Sequence, residues 1–103
     1  IAGKRIALGD LNRRLLAIDG VRDGTFFLPE GEAGREPRLT AFVVAPGCTR
    51  EELLDELRRH IDPVFLPRPL RLVDRLPRNA TGKLPRGNLL SLHREMEARE
   101  LAG

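Results

Sequence analysis

The first apolar pattern along the chain has helical spacing. Apolar residues recur every three or four positions within residues 9–19, which predicts a helix with one apolar face. Asp10 lies near the N-terminus of this helix, where negative charge is favourable, and Gly20 suits its C-terminal stop. The predicted apolar face consists of Leu8, Leu11, Leu15 and Ile18.

Two extended segments follow this helix. Residues 21–28 contain Phe26 and Phe27 and predict a strand, and residues 39–45 predict a second strand centred on an unbroken apolar run. Such a run is typical of a strand covered on both faces. The polar loop at residues 29–37 is rich in Gly and Pro, so the two strands are expected to pair antiparallel across it.

The second half predicts helix, strand, loop and helix. Thr49 and Glu52 have the spacing of a capping box, and the helix they begin should end near Asp62 because Pro63 disfavours helix before it. Residues 70–73 predict a third strand, and Pro85 suits the first turn of a last helix at 86–101. The predicted core-facing residues are Leu53, Leu54, Leu57 and Ile61 on one helix, and Leu89, Leu92 and Met96 on the other.

The order of these elements predicts an α+β domain. It would contain a small three-stranded sheet with about three packed helices and a short N-terminal ribbon at residues 1–6. The length of 103 residues suits one domain, and 41% hydrophobic residues suffice for one core. Because the chain begins with Ile rather than Met, inside what reads as a structured element, we expect it to be part of a longer protein.

Charge and composition argue against several functional classes. The 18 basic residues are interleaved with 15 acidic ones and no basic run contains aromatics, which argues against nucleic-acid binding. No apolar run is long enough to span a membrane. Cys48 is the single cysteine, is expected to be inert, and fits a cytoplasmic protein. No His, Cys or Asp spacing suggests a metal site, and His60 and His93 are predicted to be solvated.

The loop at residues 76–84 contains the strongest candidate for chemistry. Among so many arginines the chain has two lysines, Lys4 and Lys83, and lysine provides a compact point charge where arginine provides a planar fork. Thr81 and Gly82 permit a tight, mobile backbone, so Lys83 could reach a phosphate or carboxylate. A phosphate-binding P-loop is excluded, because positions 77 and 84 are Pro and Leu instead of Gly and Ser or Thr.

This loop strongly resembles the last signature motif of the adenylate-forming superfamily. That superfamily contains acyl-CoA and aryl-CoA synthetases, the adenylation domains of nonribosomal peptide synthetases, and firefly luciferase. Its pattern is Pro-Arg-(Thr/Asn)-x-(Thr/Ser)-Gly-Lys-aliphatic, where x is any residue. The matching positions are Pro77, Arg78, Asn79, Thr81, Gly82, Lys83 and Leu84, with residues 72–76, Arg86 and Leu89 agreeing in the flanks.

A second, looser resemblance lies at the start of the chain. Residues 1–6 and 9–11 resemble the superfamily's hinge-proximal motif, which places Gly3 and Arg5 in it. Asp10 and Asn12 stand where acids are usual. The two motifs occur in the superfamily's order, so the resemblance covers nearly the whole chain.

The resemblance implies the role of the chain. It would be the C-terminal lid domain, residues 1–103, of an AMP-forming acyl or aryl ligase, inactive without a large N-terminal domain that binds ATP, Mg²⁺ and a small fatty or aromatic acid. The lysine matching Lys83 contacts the reacting carboxylate and the α-phosphate. The domain then rotates, and the thiol of coenzyme A or of a carrier protein's phosphopantetheine enters past Gly3. Arg5 would contact phosphate or help to position the domain.

Three alternatives remain open from the sequence. The chain could be a stand-alone basic interaction module that binds RNA or a protein partner, which predicts salt-dependent RNA affinity. The loop could be a simple connector rich in Pro and Gly. The parent could also have kept the fold and lost catalysis, although the presence of both Gly82 and Lys83 argues against that.

Overall fold

The first helix is shorter than its apolar spacing predicts. In the computed structural model, which describes residues 7–29 and 37–102, α1 spans Leu8–Leu16. Leu11 and Leu15 are fully buried, and Ile18 is buried just beyond the helix end. The predicted end near residue 19 is wrong because the chain tightens there to enter the sheet: the Ile18 N–H bonds the Leu15 carbonyl, three residues back. The predicted N-terminal ribbon lies outside the described residues.

The three strands form one mixed sheet. β1 spans Asp23–Phe27, β2 spans Thr40–Val44 and β3 spans Leu70–Leu72, in the order β1-β2-β3. The predicted antiparallel pairing of β1 with β2 is confirmed, with Asp23 opposite Val44. β3 pairs parallel to β2, which requires the intervening chain to cross over the sheet.

The central strand β2 is buried on both faces, as its unbroken apolar run predicts. Its side chains alternate between two separate apolar clusters, because successive residues of a strand point to opposite faces. Ala41 and Val43 join the first core cluster, under α1 and α2, whereas Phe42 and Val44 join the second core cluster, under α3. The first core cluster also contains Leu11, Leu15, Ile18, Phe26, Leu39, Ala45, Leu53, Leu57, Ile61, Phe65 and Leu70, and the second also contains Phe27, Leu76 and Leu89.

The helix α2 spans Arg50–His60 and begins with the predicted capping box. The Thr49 hydroxyl accepts a hydrogen bond from the Glu52 N–H at 3.2 Å, and the Glu52 carboxylate accepts one from the Thr49 N–H at 3.0 Å. The helix ends two residues before Asp62, and a short 3-10 turn, Pro63–Phe65, leads towards β3. Leu53 and Leu57 are buried against the sheet, so the predicted apolar face is confirmed.

The last helix, α3, spans Arg86–Ala102 and covers the second core cluster. Pro85 directly precedes it, and the Pro85 carbonyl accepts the Asn88 N–H at 3.0 Å. Leu89 is buried, and Leu92 and Met96 pack partly against the cluster, as predicted. Three helices on a three-stranded sheet in the described part confirm the α+β class.

The prediction of a solvated His93 is wrong, whereas His60 is exposed as predicted. The His93 side chain is 13% exposed, and its ring centroid lies 5.8 Å from that of Phe27. The cause is that α3 lies across Phe27, so this position of the helix faces protein. His93 Nε2 remains 3.0 Å from the Glu97 carboxylate.

A buried arginine links β3 to the end of α3. Arg71 points to the α3 side of the sheet with its side chain 6% exposed, and its guanidinium pairs with the Glu100 carboxylate through both terminal nitrogens. The arginine hydrogen bond chiefly lowers the pKa of Glu100. Across residues 7–29 and 37–102, no helix is both long and apolar enough to cross a membrane.

Candidate functional site

The candidate loop joins β3 to α3 and is anchored in the protein at both ends. Leu76 is buried in the second core cluster, and Leu84 packs partly against it. Between them, the Pro77 carbonyl accepts a hydrogen bond from the Asn88 side-chain amide at 2.9 Å. The loop therefore projects from two apolar anchors and is tied to the first turns of α3.

Asn79 organises the turn within the loop. Its side-chain oxygen accepts hydrogen bonds from the Thr81 N–H at 3.0 Å, the Thr81 hydroxyl at 2.8 Å and the Lys83 N–H at 3.0 Å. Its own N–H donates to the Lys83 carbonyl at 2.8 Å, and its carbonyl accepts the Gly82 N–H at 3.0 Å. Asn is favoured at such turns because its side chain can bond backbone groups a few residues ahead. Gly82 takes a positive φ of 80°, so the tight turn that Thr81-Gly82 predicts is present.

Arg78 connects the loop to the sheet. Its Nε and Nη2 donate to the two carboxylate oxygens of Asp23, at 2.9 and 2.7 Å, and its Nη1 donates to the Gly82 carbonyl at 2.9 Å. The Arg78 hydrogen bonds are the main reason that the pKa of Asp23 is lowered; burial opposes this effect, and the Gly24 N–H assists it. The same contact raises the pKa of Arg78.

Asp23 was not a candidate from the sequence. In the sequence it is a single carboxylate within the predicted strand 21–28, next to Gly24, and such a carboxylate is more often solvated. The partner lies 55 residues away along the chain, so no local pattern could have joined the two.

Within the described residues, the Lys83 side chain is exposed and unbonded, whereas the side chains of Arg78 and Asn79 bond to the protein. Its N–H and its carbonyl are both bonded to Asn79, yet its side chain is exposed. In the part of the chain that the structure describes, no hydrogen-bond or ion-pair partner lies within reach of its ammonium. The arrangement presents one cation, on a fixed backbone, to an incoming anion.

Comparison with known proteins decides the family. The sequence profile described as "AMP-binding enzyme C-terminal domain" matches residues 29–83, more than half of the chain. The chain belongs to the AMP-binding enzyme C-terminal domain family. It is 34% identical over 103 residues to chondramide synthase cmdD of Chondromyces crocatus, which covers 97% of the chain and 3% of that protein. It is 36% identical over 97 residues to a propanoyl:CoA ligase of Mycobacterium tuberculosis, covering 87% of the chain and 18% of that ligase.

Solved structures agree with this assignment. A Klebsiella oxytoca NpsA structure in complex with 3-hydroxyanthranilyl-AMSN has a TM-score of 0.73 and 27% identity, and the match covers 93% of this chain and 18% of that one. A Mycobacterium tuberculosis fatty acyl CoA synthetase has a TM-score of 0.75 at 20% identity over 91% of this chain and 19% of that chain, which supports the fold. This AMP-binding C-terminal domain therefore spans a small fraction of its relatives' length, and those relatives include CoA ligases and nonribosomal peptide synthetases. Nothing in the comparisons favours an RNA-binding module.

The flanking motif residues of this AMP-binding C-terminal domain have structural contacts. The Arg86 guanidinium lies 4.9 Å from the centroid of the Phe27 ring and donates to the Leu28 carbonyl at 3.0 Å. Asn12, at a position of the early motif, accepts the Phe26 N–H at 2.7 Å and so links α1 to β1. Asp10 pairs with Arg13 one turn ahead.

The remaining sequence candidates lie elsewhere or outside the described chain. Gly3 and Arg5 fall among residues 1–6, outside the described residues. Cys48 is partly buried in the turn before α2. Within residues 7–29 and 37–102, no group of three or more His, Cys, Asp or Glu side chains could hold a metal ion.

Proposed function

We propose that residues 1–103 form a lid domain, which closes over a larger ATP-binding and acid-binding domain of the same polypeptide. The lid would supply Lys83 for carboxylate adenylation. The observation that carries the proposal is the unpaired, exposed Lys83 ammonium on a backbone held by Asn79 on both sides. A compact point charge of this kind suits a site where a carboxylate meets a phosphate.

The chemistry explains why a lysine is needed there. A carboxylate oxygen of the acid attacks the α-phosphorus of ATP; an O–P bond forms, the bond to pyrophosphate breaks, and an acyl adenylate results. Two anions approach each other and negative charge builds up on the phosphoryl oxygens. A positioned cation, shielded from water by lid closure, stabilises that charge without covalent chemistry. Mg²⁺, which would offset phosphate charge, is assigned to the larger domain together with ATP.

The second half-reaction would use another part of the domain. After adenylation, rotation would withdraw Lys83 and bring in Gly3 and Arg5. A pantetheine thiol, from coenzyme A or a carrier protein, would attack the acyl carbon, and AMP would leave as the C–O bond to it breaks. Gly3 would let the pantetheine approach the backbone closely. The CoA ligases and peptide synthetases among the relatives support such an acceptor, and the acids would be fatty or aromatic, handled in the cytoplasm.

The test is acid-dependent ATP–pyrophosphate exchange by the full-length ligase. A panel of fatty and aromatic acids would first identify a substrate. We expect Lys83→Ala to reduce exchange by about 100-fold to 1,000-fold, the typical effect of removing one transition-state donor. Arg94→Ala removes an exposed cation from α3, outside the motif, and should stay near wild type. Unchanged exchange in Lys83→Ala would reject the assignment of Lys83.

A further inference from the structure

The Gly82–Lys83 peptide unit is held at both of its polar ends. Its carbonyl accepts from Arg78 Nη1 at 2.9 Å, and its N–H donates to the Asn79 side chain at 3.0 Å. Because a peptide unit is planar, two such bonds define the orientation of the plane. The direction in which Lys83 leaves the backbone follows from that orientation.

The hydrogen bond to the Gly82 carbonyl comes from Arg78, which is itself held by Asp23 of the sheet. Arg78 reaches Gly82 with one terminal nitrogen while its other donors grip both oxygens of Asp23. Asp23 is fixed in turn: it is part of β1, pairs with Val44, and accepts the Gly24 N–H with its carboxylate at 2.9 Å. A two-oxygen contact of this geometry restrains the guanidinium plane as well as its position.

We propose that Asp23 is a positioning residue for adenylation, acting through Arg78 on the peptide unit that precedes the Lys83 side chain. The proposal rests on the proposed function of Lys83. The side-chain partners of Asp23 are Arg78 and the Gly24 N–H, so it has no direct bond to Lys83. Its carboxylate sets the orientation of Arg78, and Arg78 sets the orientation of the Gly82 carbonyl.

The Asp23 charge has a second effect on the same step. A guanidinium that lacks its carboxylate is itself a good phosphate ligand, because its planar fork fits phosphate oxygens. With Asp23 in place, the Nε and Nη2 edge of the Arg78 guanidinium is paired with a carboxylate, and its Nη1 is bonded to the Gly82 carbonyl. An incoming phosphate or carboxylate therefore meets Lys83 as the cation of residues 76–84 that has no carboxylate partner in the described part of the chain.

The test separates the two half-reactions in the full-length ligase. Asp23→Asn keeps the shape of the side chain and removes its charge. We expect the adenylation kcat to fall about tenfold, below the roughly 100-fold effect of a 1 Å displacement of a reacting group, with the KM values for ATP and acid within about twofold of wild type. Thioester formation from preformed acyl adenylate should be unchanged. Asp55→Asn, which removes an exposed partner of Arg58 on α2, is the matched control and should leave both steps unchanged.

A double variant tests the route through Lys83. In a Lys83→Ala background, Asp23→Asn should cause no further loss in single-turnover adenylation, because the residue it positions is gone. Arg78→Lys, which keeps the charge but cannot bridge Asp23 and Gly82 together, should slow adenylation selectively as well. Equal losses in both half-reactions, or the same tenfold loss with and without Lys83, would overturn the inference. If Lys83→Ala impairs exchange and Asp23→Asn does not, only the inference fails; if Lys83→Ala has no effect, the proposed function fails first.

Discussion

Substitution by alanine is expected to have opposite effects on stability at two glycines near Lys83, Gly82 and Gly87. Gly82 has a φ of 80°, and a Cβ added there would meet nothing within 4 Å. Gly87 lies in the first turn of α3, where a Cβ would also meet nothing within 4 Å, and its φ is not in the positive range. Because an added Cβ fits at both sites, steric clash does not distinguish them. The backbone conformation therefore decides the effect of alanine on stability.

The expected magnitudes follow from the backbone. Gly82→Ala forces an L-residue into the left-handed region, which costs about 1–2 kcal/mol. Gly87→Ala places a better helix former in a helix and should stabilise the chain by about 0.5 kcal/mol, the lower end of the usual range, since the site is at the helix start. Gly82→Asn should fall between wild type and Gly82→Ala because Asn tolerates positive φ.

The assay is urea unfolding of the 103-residue chain, followed by circular dichroism. With a denaturant slope of about 2 kcal/mol/M, within the usual range for small proteins, Gly82→Ala should lower the midpoint by about 0.5–1 M and Gly87→Ala should raise it slightly. A shift of both alanine variants in the same direction would refute the left-handed conformation of Gly82. If the proposed function holds, Gly82→Ala should also slow adenylation by the full-length protein, because the strain at residue 82 lies in the peptide unit before Lys83.

Two further predictions concern the ends of the helices. Glu100→Gln should lower the urea midpoint at pH 7 by removing the carboxylate from buried Arg71, whereas Glu95→Gln, which loses only an exposed pairing with Arg99, should have little effect. Because the pKa of Glu100 is lowered from 4.5, the stability that this carboxylate contributes is fully present above pH 4.5 and is lost as the pH falls through the lowered pKa. Wild type should therefore lose more stability on acidification than Glu100→Gln. Equal losses of stability in acid would contradict the pairing with Arg71. Thr49→Ala should cost about 1 kcal/mol of unfolding free energy by removing the cap of α2, while Thr49→Ser, which keeps the hydroxyl, should stay near wild type.

The features that the sequence predicted correctly depend on neighbouring residues. The capping box at Thr49 needs only residues three apart, and the burial of β2 on both faces follows from an unbroken apolar run. The tight turn at Gly82 follows from one residue type. In each case the energy that decides the conformation is present within a few positions, so a local pattern is sufficient.

The features that the sequence missed depend on distant contacts. The end of α1 is set by the direction in which the chain must enter β1, and the burial of His93 is set by Phe27 on another element. The parallel pairing of β3 with β2 and the contact of Asp23 with Arg78 have the same character. The motif at 77–84 also mixes roles that one pattern cannot separate: the Asn79 and Arg78 side chains bond the protein itself, whereas the Lys83 side chain points to solvent.

The two-sided burial of β2 bears on how such domains can diverge. The sheet separates the first core cluster, beneath α1 and α2, from the second. The loop at residues 76–84 is anchored to the second cluster by Leu76 and Leu84. Substitutions among the larger set of residues on the α1 and α2 side are insulated from the loop by a layer of backbone. We therefore expect substitutions on that side to lower stability, because those residues are buried, while disturbing the loop less than substitutions of Phe27, Phe42 or Leu89. Divergence that changes stability without changing the loop should accordingly be easier on one face of the sheet than on the other.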